Sequence, residues 1–191
     1  MSVGMFGYGS LVLPESAQLT LGRSVGEPSP ALLRGWRRRF SQARDNLTCE
    51  KTFECDGGWR PEWILGLNLE PGEDEAGPVN GVVIELTDAE LDRLDIREIR
   101  YDRVDVTELV SGEDLPERIV IYKAKRAHFA PEPPPDAVIL ATYARAVERA
   151  FEVLGPGELD RYRATTGPCP VQRVEATLVI DRIPEGNPRA W

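Results

Sequence analysis

The amino-acid sequence predicts an α+β fold built on a largely antiparallel sheet. Several short runs rich in Val, Ile and Leu are bounded by Gly and Pro, as strands are. Two segments with apolar residues at helical spacing, 87–98 and 137–154, fall between them without the regular strand–helix alternation of a parallel sheet. A Ser111-Gly112 to Pro116 turn joins two alternating segments and reads as an antiparallel hairpin. The 191 residues, 41% hydrophobic and 29% charged, suit one domain over 1–191 with a sizeable core.

In chain order, Val3 to Tyr8 reads as the first strand. It breaks into Gly7-Tyr8-Gly9-Ser10, and Ser10 to Gly22 reads as a loop and a short helix broken at Pro14. After a turn-rich stretch at 24–30, Ala31 to Gln42 is a strand candidate with neither face cleanly apolar. Residues 43–63 are polar and irregular and read as a loop or short hairpin, with Trp59 and Trp63 either packing or lying on the surface. Ile64 to Glu70 is a strand that ends at Pro71-Gly72 and the acidic turn Glu73-Asp74-Glu75, a solvated hairpin tip. Val79 to Leu86 is the clearest central strand.

Thr87 then caps a helix, with Glu90 completing a capping box and Leu86 placed to staple against Leu91. Leu91, Leu94 and Ile96 mark its stripe, and it yields near Glu98 to Tyr101. Asp102–Val110 and Glu117–Ala124 form the hairpin. Pro131 to Asp136 is an extended connector, Ala137 to Leu154 the longest helix, Leu159 to Thr165 a further short helix, and Val174 to Ile180 the last strand.

A net charge of −9 argues against nucleic acid or an acidic membrane surface, because phosphate binding needs concentrated positive charge. No apolar run approaches the ~18 residues of a membrane span, and no secretory signal is visible. Cys49, Cys55 and Cys169 lack metal-ligand spacing, and their odd count suits a reducing, cytoplasmic setting. Arg37 and Arg39 fit either substrate carboxylates or structural pairing with acids. Phosphate-loop and dinucleotide signatures are absent.

Two features remain that carry chemistry. Glycines in Gly7-Tyr8-Gly9-Ser10 permit close backbone approach, so this turn is either an ordinary strand-to-helix connection or a site for an anion or carbonyl. Asp92, Asp95 and Glu98 stand one turn apart on the helix. With Leu91 and Leu94 facing the core, Asp95 and Glu98 lie at its edge, where partial desolvation raises a carboxyl pKa toward acid/base duty. Glu98 is also at the helix C-terminus, where the macrodipole disfavours negative charge. A solvated helix end with Arg97 and Arg100 as neighbours explains the same residues.

The combination of Phe6-Gly7-Tyr8-Gly9-Ser10-Leu11, Asn80-Gly-Val-Val-Ile-Glu-Leu86, and Leu94-Asp95-Ile96-Arg97-Glu98 leading to Tyr101-Asp102-Arg103-Val104 resembles the γ-glutamylcyclotransferase-like superfamily. That superfamily includes the ChaC-like glutathione-degrading and γ-glutamylamine-degrading branches, and the Tyr-containing helix at 137–154 fits the same plan. The resemblance implies a small mixed, largely antiparallel β-barrel-like sheet with a few helices. It implies Glu98 as catalytic acid/base, and Tyr8, Gly9, Ser10, Leu11 and Tyr101 as binding residues for a small-molecule γ-glutamyl substrate. It implies release of 5-oxoproline and a free amine or amino acid, with no cofactor and no metal. The chain departs from the family in the Ile99-Arg100 that follows Glu98, where several branches have a glycine turn, and in the 43–63 stretch. Two alternatives stay open: a non-catalytic small-molecule binding protein on the same fold, against which the retained Glu98 argues, and a hydrolase using Cys169 or His128.

Overall fold

The computed structural model describes residues 2–26, 28–72 and 76–189. The elements run β1 (Val3–Gly7), α1 (Pro14–Leu21), β2 (Ser29–Leu33), β3 (Trp36–Asp45), β4 (Lys51–Cys55), β5 (Trp63–Pro71) and β6 (Val79–Leu86). Then follow α2 (Asp88–Arg97), β7 (Tyr101–Asp105), β8 (Val110–Gly112), β9 (Arg118–Ala124), β10 (Ala137–Leu140), α3 (Ala141–Leu154), α4 (Glu158–Ala164), β11 (Arg173–Val174) and β12 (Ala176–Asp181). The fold is α+β.

Among the described residues these strands form a six-stranded sheet in the order β7-β9-β1-β6-β2-β8, a four-stranded sheet β11-β10-β5-β3 and the ribbon β12-β4, none of them closed. Antiparallel pairings dominate, while β1 runs parallel to β9, and β10 runs parallel to both β5 and β11. The six- and four-stranded sheets share one main hydrophobic cluster, from Met5 and Phe6 of β1 through Leu65, Leu67 and Leu69 of β5 to Val147 and Phe151 of α3. Polar groups stitch the two sheets as well: the Ala124 N–H of β9 donates to Asn68 Oδ1 of β5 at 2.8 Å.

Several expectations change. The strand expected over 31–42 is two strands in different sheets, because Gly35 takes φ +74° between them, a conformation that a side chain disfavours. The polar 43–63 stretch, expected as a loop or a short hairpin, holds strand that pairs outside it: β3 continues to Asp45, and β4 pairs with β12. Asn46 organises that turn, its side chain bonding Phe53 N–H, Phe53 O and Pro61 O within 2.9 Å. Residues 137–140 are strand, not the first turn of the long helix; their continuous apolar run is buried on both faces beside β5, a pattern that periodicity cannot separate from a helix. Pro14 starts α1 instead of breaking it, since the first helical position needs no N–H. Ile96 is exposed, so Leu91 and Leu94 alone form the buried apolar stripe of α2. The acidic turn 73–75 lies outside the described residues.

The α2 boundary follows the expected chemistry. The Thr87 side chain accepts from Glu90 N–H, and the Glu90 carboxylate accepts from Thr87 N–H at 2.8 Å. The hairpin is present as β7 against β9, with β8 diverted to the edge of β2. Gly81 is required where β6 meets β1, since a Cβ there would strike Gly7 O and the Phe6 ring. That contact fixes the end of β1 from which the glycine turn departs.

Candidate active site

A cavity of about 60 Å³ opens where β1 ends, and Tyr8, Gly9, Ser10, Leu11, Glu98 and Tyr101 all line it. The structure therefore brings together every site residue expected from the sequence. Met5, Leu67, Tyr122 and Tyr143 complete much of its wall.

The loop is held by its aromatic residue. The buried Tyr8 hydroxyl donates to Tyr122 O of β9 at 2.5 Å, anchoring the chain as it leaves β1. A single 3₁₀ turn follows at Ser10–Val12, closed by Val12 N–H on Gly9 O at 3.0 Å. A helical turn leaves its first N–H groups without internal partners; among the described residues no acceptor meets the N–H of Ser10 or Leu11.

Glu98 is the C-cap of α2, and its N–H donates to Leu94 O at 2.7 Å. Tyr101 N–H returns to Glu98 O at 2.7 Å, so one tight turn presents both side chains. No glycine is needed there, because no residue of the turn takes a positive φ, and neighbours pin it. Lys125 Nζ donates to Ile99 O at 2.8 Å, and Arg100 pairs with Glu50 at 2.7 Å. The 43–63 stretch thus braces the turn that carries Glu98.

The Glu98 carboxylate meets Arg97 Nε at 3.2 Å and keeps 18% side-chain exposure. Burial pushes its carboxyl above the usual range, and the charge and hydrogen bond of Arg97 pull the other way. Arg97 also reaches the Thr20 hydroxyl of α1, so the ion pair is tethered to a second element. Asp95, the other edge carboxylate, is engaged structurally: Tyr122 donates to it at 2.6 Å and Arg103 lies at 3.6 Å.

The remaining wall is phenolic. Tyr101 donates to Leu67 O at 2.9 Å, and Tyr143 of α3 places its hydroxyl close to Gly9. Burial, reinforced by the Glu98 charge, holds the Tyr8, Tyr101, Tyr122 and Tyr143 hydroxyls above the ordinary phenol range. All four are neutral at physiological pH. Tyr122 escaped the sequence reading because it sits in an apolar strand run that reads as core.

Arg38 escaped it too. It falls in the strand candidate with neither face cleanly apolar, yet the side chain is fully buried, packed 4.9 Å from the Phe151 ring centroid and 4.8 Å from that of Tyr162. Its guanidinium donates to Asn80 O and, at 3.1 Å, to Thr166 Oγ1. Burial lowers its pKa to about 10, so it stays charged. Arg37 and Arg39 both pair with Glu70, and neither lines the cavity.

Ser10, Glu98, Tyr101 and Tyr143 also line a second, larger cleft of about 560 Å³, bounded by α1, β4, β5, α3 and the chain after β12. The two spaces therefore adjoin, with Ser10, Glu98, Tyr101 and Tyr143 at their junction. His128 and Cys169 line neither. Among the described residues no cluster of three His, Cys, Asp or Glu side chains suits a metal ion, and no helix is long and apolar enough to cross a membrane.

Comparison with known proteins identifies the family and the fold. The family model described as gamma-glutamyl cyclotransferase, AIG2-like, matches residues 5–137. Among solved structures, one described as gamma-glutamyl cyclotransferase aligns at TM-score 0.59 and 17% identity, covering 86% of this chain and 88% of its own. An uncharacterised protein from Homo sapiens aligns at 0.59 and 18%, covering 88% and 93%. YkqA from Bacillus subtilis aligns at 0.56 and 17%, covering 85% of this chain, which spans only 53% of that longer protein. At such identities these structures speak to the fold. No curated protein matches the chain.

Proposed function

Because the chain belongs to the AIG2-like gamma-glutamyl cyclotransferase family, we propose that it converts a γ-glutamyl amide into 5-oxoproline and a free amine or amino acid, with Glu98 as acid/base. The observation that carries this reading is the shared cavity: the turn after β1, with its unpartnered N–H groups, and a carboxylate of raised pKa line one small space.

The substrate holds its own nucleophile. Its α-ammonium gives a proton to Glu98, and the resulting amine attacks the γ-carbonyl carbon, forming the ring N–C bond. As the original amide C–N bond breaks, Glu98 returns that proton to the departing nitrogen. The second proton of the ring nitrogen follows by the same carboxylate, so the positive charge lost by the α-ammonium reappears on the released amine. A carboxyl pKa raised by burial above the usual range suits both halves of this shuttle.

Backbone N–H groups of the Ser10–Leu11 turn would stabilise charge developing on the carbonyl oxygen. The small cavity would hold the γ-glutamyl chain folded toward its ring-closing shape, supplying the proximity term. Tyr101 would flank the reacting carbonyl as a neutral hydroxyl.

Glu98→Gln tests the assignment, since the amide keeps the shape and removes the base. 5-Oxoproline release should fall ~10²–10⁴-fold, the usual contribution of a positioned acid/base, with the circular-dichroism spectrum unchanged. Undiminished turnover would remove Glu98 from the chemistry, and ligand-induced thermal stabilisation of the wild type without any product would favour a binding protein.

A further inference from the structure

The ring-closing chemistry occupies only the small cavity and leaves the larger cleft without a role. We infer, resting on the cyclotransferase reading above, that this cleft selects γ-glutamyl dipeptides whose second residue carries a large apolar side chain, with Arg44 holding that residue's carboxylate.

Size and continuity come first. An amide whose γ-carbonyl lies beside Glu98 extends its leaving group into the cleft, because Glu98, Ser10 and Tyr101 line both spaces. At about 560 Å³ the cleft falls within the ~300–1,000 Å³ that enclose whole organic ligands. A leaving group the size of glycine would leave most of that space to water. Leu13, Leu19, Phe53, Leu65, Leu140 and Ile183 give the cleft an apolar lining, which a large aliphatic or aromatic side chain covers and a polar one does not.

Charge supplies the second argument. Five cations line the cleft, Arg44, Lys51, Arg97, Arg100 and Arg189, against Glu15, Glu50 and Glu98. Four of the five face carboxylates: Lys51 faces Asp181, Arg97 faces Glu98, and Arg100 and Arg189 share Glu50. Arg44 forms no ion pair among the described residues. It donates to Lys51 O at 2.8 Å and to Cys49 Sγ at 3.1 Å, and lies 5.3 Å from the Phe53 ring centroid. A half-buried guanidinium beside an aromatic wall suits the carboxylate of a bound apolar amino acid.

The reach agrees. In the β3–β5 ladder Gln42 faces Gly66 and Arg44 faces Ile64, while the Tyr101 hydroxyl lies beside Gly66. Arg44 is therefore two strand residues beyond the reacting end, ~7 Å along the sheet. From the scissile nitrogen to the carboxylate carbon of an α-amino acid is ~2.5 Å; adding the carboxylate oxygen and a hydrogen bond of ~2.9 Å nearly covers that step.

Three probes test this, each read as 5-oxoproline formed: γ-glutamyl-phenylalanine, γ-glutamyl-alanine, and γ-glutamyl-phenethylamine, which keeps the ring and lacks the carboxylate. The first should exceed each of the others in kcat/KM by ~10-fold or more, the scale of a charged hydrogen bond or a few buried methylenes. Arg44→Met should bring the phenylalanine-to-phenethylamine ratio close to one. Equal rates on all three, a preference for alanine, or an unmoved ratio in Arg44→Met would overturn the inference while leaving the cyclotransferase reading intact. Failure of all three to yield 5-oxoproline would sink that reading beneath it. The wild-type comparison decides the matter even if the variant fails to fold.

Discussion

Arg97→Met should move the acid limb of the pH–rate profile upward. The Glu98 carboxyl is set by two opposed causes, burial that raises its pKa and the adjacent guanidinium that lowers it. Removing Arg97 leaves burial alone. An opposite charge within a few ångströms depresses a carboxyl by about 1–3 units. The two groups are 3.2 Å apart but keep 16% and 18% side-chain exposure, so solvent screens part of the attraction and the lower end applies. One unit corresponds to about 1.4 kcal/mol. Glu98 acts first as a base, so activity rises with pH through its pKa. A limb moved up by about one unit lowers the rate about tenfold at any pH on the wild-type limb. The assay is kcat for 5-oxoproline release across pH 4–9, because kcat reports groups in the substrate complex. Arg97→Lys, which keeps the charge, should hold the limb near its wild-type position and so controls for the lost tether to Thr20. A limb that stays in place or moves to lower pH in Arg97→Met would refute the assignment of that ionisation to Glu98.

Two further outcomes test the frame around the site. Burial works against the Glu50 carboxylate, but hydrogen bonds from Arg100, its own backbone and Arg189 prevail and hold its pKa at about 2. A carboxyl depressed in the fold stabilises above its unfolded pKa and loses that contribution as pH falls. Glu50→Gln should therefore lower Tm at pH 7, with the deficit shrinking between about pH 4.5 and 2; a pH-independent deficit would mean the clasp is not electrostatic. Thr87→Ala removes the α2 cap and should lower stability by about 1 kcal/mol, a Tm drop of about 2–4 °C by calorimetry for a chain this long.

Much of this was legible where local chemistry decides structure. The β6 run, the Thr87–Glu90 box and the β7–β9 pairing depend on residues close in sequence or on strict alternation, and each is present in the structure. The meeting of Tyr8–Leu11 with Glu98 was legible only through motif resemblance, since no local rule links residues so far apart. What escaped has a common cause. Residues 137–140 and Tyr122 lie in continuous apolar runs, where burial on both faces erases the period that separates strand from helix and core from site. Arg38 is charged and yet sits in the core, because two aromatic rings and Asn80 from distant segments surround it. The ordered 43–63 stretch depends on Asn46 and on pairing with β12, a strand more than a hundred residues away. Tertiary partners, invisible to local pattern, made each of these.

The most direct test of the account follows the atoms. A γ-glutamyl amide labelled with ¹⁵N at its α-amine is incubated with the protein in H₂¹⁸O, and the products are resolved by mass spectrometry. Intramolecular ring closure predicts 5-oxoproline carrying ¹⁵N and no ¹⁸O, together with an unlabelled free amine. Glutamate carrying ¹⁸O would show that water, not the substrate's own amine, attacks the carbonyl, and would contradict the account.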